Sequence, residues 1–456
     1  MRILVIMAII CITSASFAQV DTTKNIIDKA KIQYKLSEAK TMYYSHNYRG
    51  SLNMYREILS MDDTNPAAHY GVAECQYSLK NFDAALEHAK DAVAVNPKVS
   101  KEVDYMFGII LHQLGDVEQA KSYYEKFKLT IADNKSKMAD YEINKLIAQC
   151  DYVLANKDNL ADVTIENLGN AVNSGFPEFA PCLSLDGKTL VFTSRRNDTK
   201  GGGVDINFDH LYYSDVYQCT WNEEDEEWNK AEPIPGKINT EYHDGATGFT
   251  PEGELLLYRN IIGATKSGDI YYSKLSVSSQ RWSSPKELLA KEMKKKKANK
   301  RMNSSYFESS ASMTEDGEMI YFVSERPGGL GQADIYYVKK AGKTWSDPIS
   351  VGANINTSSD EKCVFIHPNG NILFFSSNGY NECFGSYDLY YSVKDAEGNW
   401  GKAINMGAPI NTVKEEKTIT VSKDGKTAYV GAYYNIKSRG DADIFKVDIS
   451  ALGLIK

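Results

Sequence analysis

Two internal repeats of different period constrain this chain more than any other feature. Between about residues 30 and 155, apolar residues recur at helical spacing, and Pro and Gly are scarce. Tyr48, Phe82 and Val117 each follow a short turn, His46-Asn47, Lys80-Asn81 and Gly115-Asp116, at intervals of 34 and 35 residues. Lining them up aligns Ala39 with Ala73 and Gly108, then Ser51 with Ala85 and Ala120, then Ile58 with Ala92 and Phe127. A small residue at a fixed place in each unit lets two helix backbones approach, and a large one fills the groove beside them. Pro66 and Pro97 are expected to close the second helices of units one and two. Residues 138–155 are expected to form a terminal capping helix. The pattern specifies a solenoid of helical hairpins.

A period of 34 with this small–large pattern resembles the tetratricopeptide (TPR) repeat. The match is looser in the first unit, where Ser51 stands for the usual Ala. TPR arrays bind partners in a concave groove lined by the first helix of each pair. Carried over position by position, the resemblance places Lys40, Tyr43 and Tyr44 on that face, then Tyr70, Glu74 and Tyr77, then Tyr105, Ile109 and His112. Tyr suits recognition surfaces because it buries a large area at low rotamer cost. Packing of the same rings between successive repeats is the alternative.

From about residue 161 a second repeat takes over. Strand-like runs follow the turns Asp186-Gly187, Glu252-Gly253, Asp316-Gly317, Asn369-Gly370 and Asp424-Gly425, spaced 66, 64, 53 and 55 residues apart. Asp-Gly or Asn-Gly between apolar alternations marks a hairpin. A third strand then opens on Asp215, Asp269, Asp334, Asp388 or Asp443, each followed by an aliphatic residue and Tyr or Phe. Trp228, Trp282, Trp345 and Trp400 come next in four modules, and then an apolar-Asn pair: Ile238-Asn239, Met302-Asn303, Ile355-Asn356 and Ile410-Asn411. Four-stranded modules in tandem read as blades of a β-propeller. The fifth module lacks its last strand, while a spare one stands at the start, Leu168 to Asn173. The start of the domain is therefore expected to complete the last blade, which removes an exposed sheet edge. Five blades are expected, with a sixth, more degenerate one as the alternative. The recurrent Asp is expected to bond backbone amides at the blade corner rather than to hold a metal.

The β-modules resemble the WD40-like (PD40) repeat of TolB-type propellers. Pro181-x-x-Ser184-x-Asp186-Gly187-Lys188 with Phe192-x-Ser194 carries the likeness, as does Asp316-Gly317 with Phe322-x-Ser324-x-Arg326. Tyr429-Val430-Gly431-Ala432 departs from it. An export signal, TPR units and a PD40 propeller together resemble the N-terminal part of PorE-like envelope proteins of Bacteroidota, found in the type IX secretion and gliding apparatus. Those relatives continue into an OmpA-like domain. The chain ends at Lys456 just after the last module, so peptidoglycan anchoring is not expected.

Residues 1–18 have a basic start at Arg2, an apolar run from Ile3 to Ile12, and Ser16 and Ala18 before a cleavage point at Gln19. This is a secretory signal peptide. The expected organisation is signal peptide 1–18, helical repeat domain 19–160 and propeller 161–456, in a periplasmic or envelope-associated protein with no transmembrane segment after cleavage. Loss of Arg2 takes the net charge from −8 to −9. An acidic chain of this kind does not read as a nucleic-acid binder. Export permits disulfides, and Cys75–Cys150, Cys182–Cys219 and Cys363–Cys383 are the local pairings to test. Buried free thiols are the alternative.

No Gly-x-Ser-x-Gly, HExxH or phosphate-loop motif is present, so no enzyme, metal centre or cofactor is expected. Asp205-x-Asn207-x-Asp209 resembles the start of a calcium loop, but His210 and Val216 stand where that loop needs Gly and Glu. Lys294, Lys295, Lys296 and Lys297 form the one basic cluster, read as a surface loop or as a contact for an acidic partner or lipid head groups. The expected function is a non-catalytic periplasmic interaction scaffold whose partners are envelope or outer-membrane proteins. The alternative is a propeller that senses a glycan or peptide.

Overall fold

The computed structural model describes residues 27–206, 208–260, 268–434, 438–439 and 441–455. The expected signal peptide at 1–18 and Asn207 of the calcium-like stretch lie outside the described residues. The described residues form two compact units, one from 27–140 with 206 and 208–210, the other from those of 141–205 and 211–455.

The first unit is the helical repeat. It comprises α1 (27–44), α2 (Tyr48–Met61), α3 (Pro66–Ser78), α4 (Phe82–Val95), α5 (Val103–Leu114), α6 (Val117–Ile131) and α7 (Lys135–Asp140). Within each pair the helices meet at a tight turn whose residue is left-handed: His46, Lys80 and Gly115, with φ of 62°, 61° and 85°. The following Asn47 and Asp116 side chains cap α2 and α6 by accepting from Gly50 and Gln119. The aligned small residues are buried, and so are Ile58 and Phe127. Gly71 and Gly108 explain two tyrosines: a Cβ at either position would run into the ring of Tyr55 or Tyr124. Pro66 differs from expectation. It occupies the first turn of α3, where Asn65 caps by accepting from the Ala68 N–H at 3.0 Å. Pro has no N–H to leave unbonded there, so it opens the second repeat rather than closing the first.

The second unit begins with α8 (Ile143–Asn156), within the stretch expected to cap the solenoid. Here α8 docks on the propeller: Gln149 Nε2 donates to Gly385 O at 2.8 Å, and the Tyr152 ring meets Phe384 edge-on. After α8 come β1 (Thr164–Asn167) and the single turn α9 (Gly169–Val172). Blade one is β2 (Glu178–Leu183), β3 (Thr189–Ser194) and β4 (Asp215–Asn222), with β5 (Glu227–Trp228) and β6 (Glu232–Pro233) pairing β4. Blade two is β7 (His243–Phe249), β8 (Leu255–Asn260), β9 (Asp269–Ser273) and β12 (Lys286–Glu287), with the side hairpin β10 (Leu275–Ser276) and β11 (Arg281–Trp282). Blade three is β13 (Glu308–Met313), β14 (Met319–Ser324) and β15 (Asp334–Ala341), with β16 (Thr344–Trp345) and β17 (Ile349–Ser350) on β15. Blade four runs β18 (Glu361–Ile366), β19 (Ile372–Ser377), β20 (Asp388–Val393) and β21 (Ile404–Asn405). Blade five is β22 (Glu416–Val421), β23 (Thr427–Ala432) and β24 (Asp443–Asp448), and β1 supplies its outer strand. The five blades and the closure of the last by the start of the domain are as the repeats required, but the closing strand is Thr164–Asn167 rather than 168–173, which forms the helical turn α9 instead. Thr164 pairs with Asp448 and Asn167 with Phe445.

One side chain repeats the closure in every blade. Asn239, Asn303, Asn356 and Asn411 each bond both the N–H and the C=O of the residue after the recurrent Asp: Val216, Ile270, Ile335 and Leu389. In blade five Asn173 makes the same pair of bonds to Ile444 from the other end of the domain. The seams between blades are apolar, and each Trp sits in the seam before its own blade. Trp400 meets Tyr321 of blade three, and Trp228 meets Tyr429 of blade five. Blade five has no such Trp. Its seam with blade four is filled partly by the C-terminal residues Leu452, Leu454 and Ile455.

The six described cysteines are buried thiols outside any disulfide, so the expected pairings are corrected. Cys182 and Cys219 pair with neighbouring residues of β3 from opposite sides. Strands two apart are separated by roughly 10 Å, beyond the reach of a disulfide at about 7 Å. Cys363 Sγ lies against Ile419 O and Cys383 Sγ against Gln149, so their surroundings differ. Cys75 donates to Ser51 inside the helical unit, whereas Cys150 belongs to the propeller unit.

Candidate functional site

The TPR groove residues divide by burial. Lys40 is exposed, and Tyr44 is 68% exposed. Tyr43, Glu74, Tyr77, Tyr105 and Ile109 are half-buried. Tyr70 and His112 are buried, and His112 Nδ1 lies 3.3 Å from the Tyr124 hydroxyl. For these two, packing within the solenoid describes what they do.

The first two repeats leave a compact aromatic and charged surface. The Tyr43 ring meets Tyr44 edge-on at 5.8 Å and lies 5.3 Å from Tyr48. Lys40 Nζ lies 5.8 Å from the centre of the Tyr44 ring. Burial pushes the Tyr43 phenol up to about 12, against a bond to Ser78 that works the other way. Burial likewise raises the Glu74 carboxyl to about 7, with Lys40 opposing and Glu102 adding to the rise. Near neutral pH Glu74 therefore divides between its neutral and charged forms. A cationic or hydrogen-bonding group arriving from a partner would settle it as a carboxylate.

The propeller holds a second candidate. A cavity of about 410 Å³ lies where blades one and five meet, lined in part by Trp221, Trp228, Tyr429, Asp186, Asp424 and Lys446. The Trp221 and Trp228 rings are edge to face at 5.4 Å. Aromatic walls with a few charged groups suit a polar ligand that has one apolar face. Trp228 was legible as a blade residue. Its meeting with Asp186, Asp424 and Tyr429 was not, because blades one and five come from opposite ends of the domain.

The opposite ends of the strands carry a girdle of buried carboxylates. Each inner strand carries at its start Glu178, Asp244, Glu308, Glu361 or Glu416, as first or second residue, bonded to the Ser or Thr four residues earlier. Arg196, Arg259 and Arg326 pair with the first three. The recurrent third-strand Asp does what its position suggested: Asp215, Asp334, Asp388 and Asp443 accept from backbone amides of the preceding loop.

The basic cluster is partly tied down. Lys296 and Lys300 both engage Asp347, while Lys294, Lys295 and Lys297 are exposed. Asp205 of the calcium-like stretch faces His243 Nε2 at 3.2 Å. No motif announces the grouping of His69 on α3 with His88 and Asp91 on α4, whose ligand atoms all lie within 4.8 Å of one another. They are invisible to spacing because the two helices, not the sequence, bring them together.

A helical TPR array followed by a five-bladed propeller defines a class, that of protein–protein interaction modules. The tetratricopeptide repeat family model matches residues 43–98. Among solved structures, the helical region is similar to the type III secretion chaperone SycD of Yersinia enterocolitica in complex with a peptide of the translocator YopD. That likeness has 16% identity, covers 26% of this chain and 92% of that one, and has a TM-score of 0.24. The first TPR domain of the human RPAP3 protein is similar at 20% identity, over 26% of this chain and 94% of that one, with a TM-score of 0.23. An α-L-arabinofuranosidase of Podospora anserina in complex with cellotriose is similar at 11% identity, over 61% of this chain and 94% of that one, with a TM-score of 0.36. No curated protein matches the chain.

Proposed function

We propose that this chain is a non-catalytic scaffold that holds an extended segment of a protein partner against the first two TPR units. The observation that carries the reading is the surface itself: Tyr43, Tyr44 and Tyr48 in ring contact beside Lys40, with the half-buried Glu74 carboxyl, which burial holds above its ordinary range, on the same face. A segment with a Lys or Arg would complete it, stacking its apolar neighbours on Tyr43, Tyr44 and Tyr77. Export by residues 1–18 and the resemblance to PorE-like proteins support a place in the bacterial envelope, in an assembly of the type IX kind.

The test is photo-crosslinking in cells from position 44, with Tyr77→Ala as the weakened variant. Tyr44 is exposed and Tyr77 half-buried, so neither change empties the core. A discrete envelope-protein adduct, reduced at least tenfold by Tyr77→Ala, is expected. Absence of any adduct from position 44 refutes the reading.

The cavity between blades one and five favours a second reading, a glycan or peptide ligand on the propeller. That reading requires such a ligand to raise the melting temperature of the full chain, and Trp221→Ala to abolish the rise.

A further inference from the structure

The structure assigns a transition-metal site to the second TPR unit, formed by His69, His88 and Asp91. His69 Nε2 lies 2.9 Å from the carbonyl oxygen of Asp63. A carbonyl only accepts, so Nε2 carries the proton and the Nδ1 lone pair of the neutral ring is free to bind. This is the arrangement by which metal-binding proteins fix the tautomer and aim of a ligating imidazole. That lone pair points at His88, whose Nδ1 lies 2.9 Å away, and the Asp91 Oδ2 lies 3.6 Å from the same His69 nitrogen. In the metal-free chain the short N···N contact is a hydrogen bond from His88 Nδ1–H. When both Nδ1 atoms turn to a common ion, His88 changes tautomer, its proton moving from Nδ1 to Nε2, so the ring binds as a neutral imidazole.

The distances fit. With bonds of roughly 2.0–2.1 Å, tetrahedral ligand atoms stand about 3.3 Å apart. Two of the three edges, 2.9 and 3.6 Å, bracket that value, and all three ligand atoms lie within 4.8 Å of one another, so a small side-chain adjustment closes the site. Two imidazoles and one carboxylate select a borderline divalent ion of the zinc class over calcium or magnesium, which prefer all-oxygen shells. His88 and Asp91 are three residues apart on one helix face, and His69 comes from the preceding helix, so the ion would staple α3 to α4. The Asp91 side chain is 50% exposed, which leaves the fourth position open to water or to a donor from a partner.

The experiment is equilibrium dialysis and calorimetry of the full mature chain with Zn²⁺, and ligand-field spectroscopy with Co²⁺ in its place. One equivalent is expected, with the visible bands of a tetrahedral N/O site and a raised melting temperature. His69→Gln with His88→Gln should abolish binding of that equivalent. Asp91→Asn removes a half-exposed carboxylate from the surface and leaves the fold intact, and it should weaken binding at least tenfold. Absence of a one-equivalent site, or a site unchanged by the double His variant, overturns the assignment. So does an Asp91→Asn protein that binds as tightly as the parent.

Discussion

Glu361 makes the sharpest prediction, because its neighbours fix both the sign and the size of the effect. It opens the inner strand of blade four and is buried. Arg196 and Arg326 pair with the matching Glu of blades one and three. Blade four has Gly379 where those arginines stand. Burial therefore wins over the hydroxyls of Ser377 and Thr357, and the carboxyl rises from 4.5 to about 7. Because the folded state holds this proton more tightly, its contribution to stability is full below about pH 4.5 and is lost as pH rises through 7. A displacement of about 2.5 pH units is worth about 3 kcal/mol.

Glu361→Gln removes that dependence. The amide oxygen keeps the bonds from Thr357 Oγ1 at 2.9 Å and Ser377 Oγ at 2.8 Å. The amide nitrogen then faces the Thr357 N–H that Oε2 accepts at 3.3 Å, a loss of about 1–2 kcal/mol. The variant should melt a few degrees below the parent at pH 5 and a few degrees above it at pH 8. Calorimetry of both proteins across that range reads the crossing directly. Equal destabilisation at pH 5 and pH 8 would show an ionised Glu361 held by its donors, and the reasoning would fail.

Gly71→Ala and Gly108→Ala should each cost about 1–3 kcal/mol by forcing Tyr55 or Tyr124 off its seat, read by urea unfolding. The six buried thiols should resist an aromatic disulfide reagent in the folded chain and all react in denaturant, so protection that persists in denaturant but yields to a reductant would mean disulfides. Deleting residues 452–455 should lower propeller stability by about 2 kcal/mol, because it uncovers the seam that lacks a Trp; an unchanged melt would deny the tail that role.

The parts of the fold carried by a period were legible. The left-handed turns at His46, Lys80 and Gly115 mark the helical repeat, and the Asn clamp marks every blade down to the displaced copy at Asn173. Pro66 misled because a proline after one helix and a proline opening the next look alike when the linker is four residues long. The cysteine pairings misled because nearness in sequence says nothing of strand order, and β3 stands between Cys182 and Cys219. Residues gathered from distant segments left no trace in spacing. His69 with His88, and the aromatic cavity shared by Trp221 and Tyr429, needed the fold before they could be seen.

The clasp that closes the propeller also sets an order of assembly. Asn167 bonds Asp443 across 276 residues, and Asn173 bonds Ile444 across 271. During synthesis β1 emerges early and waits with its backbone groups unpaired while four blades form behind it. A strand left open in this way invites pairing with other chains. The last strand to be made is the one that ends that exposure. A chain cut short before β24 would then present two raw edges, and aggregation rather than partial function is the fate its geometry prescribes.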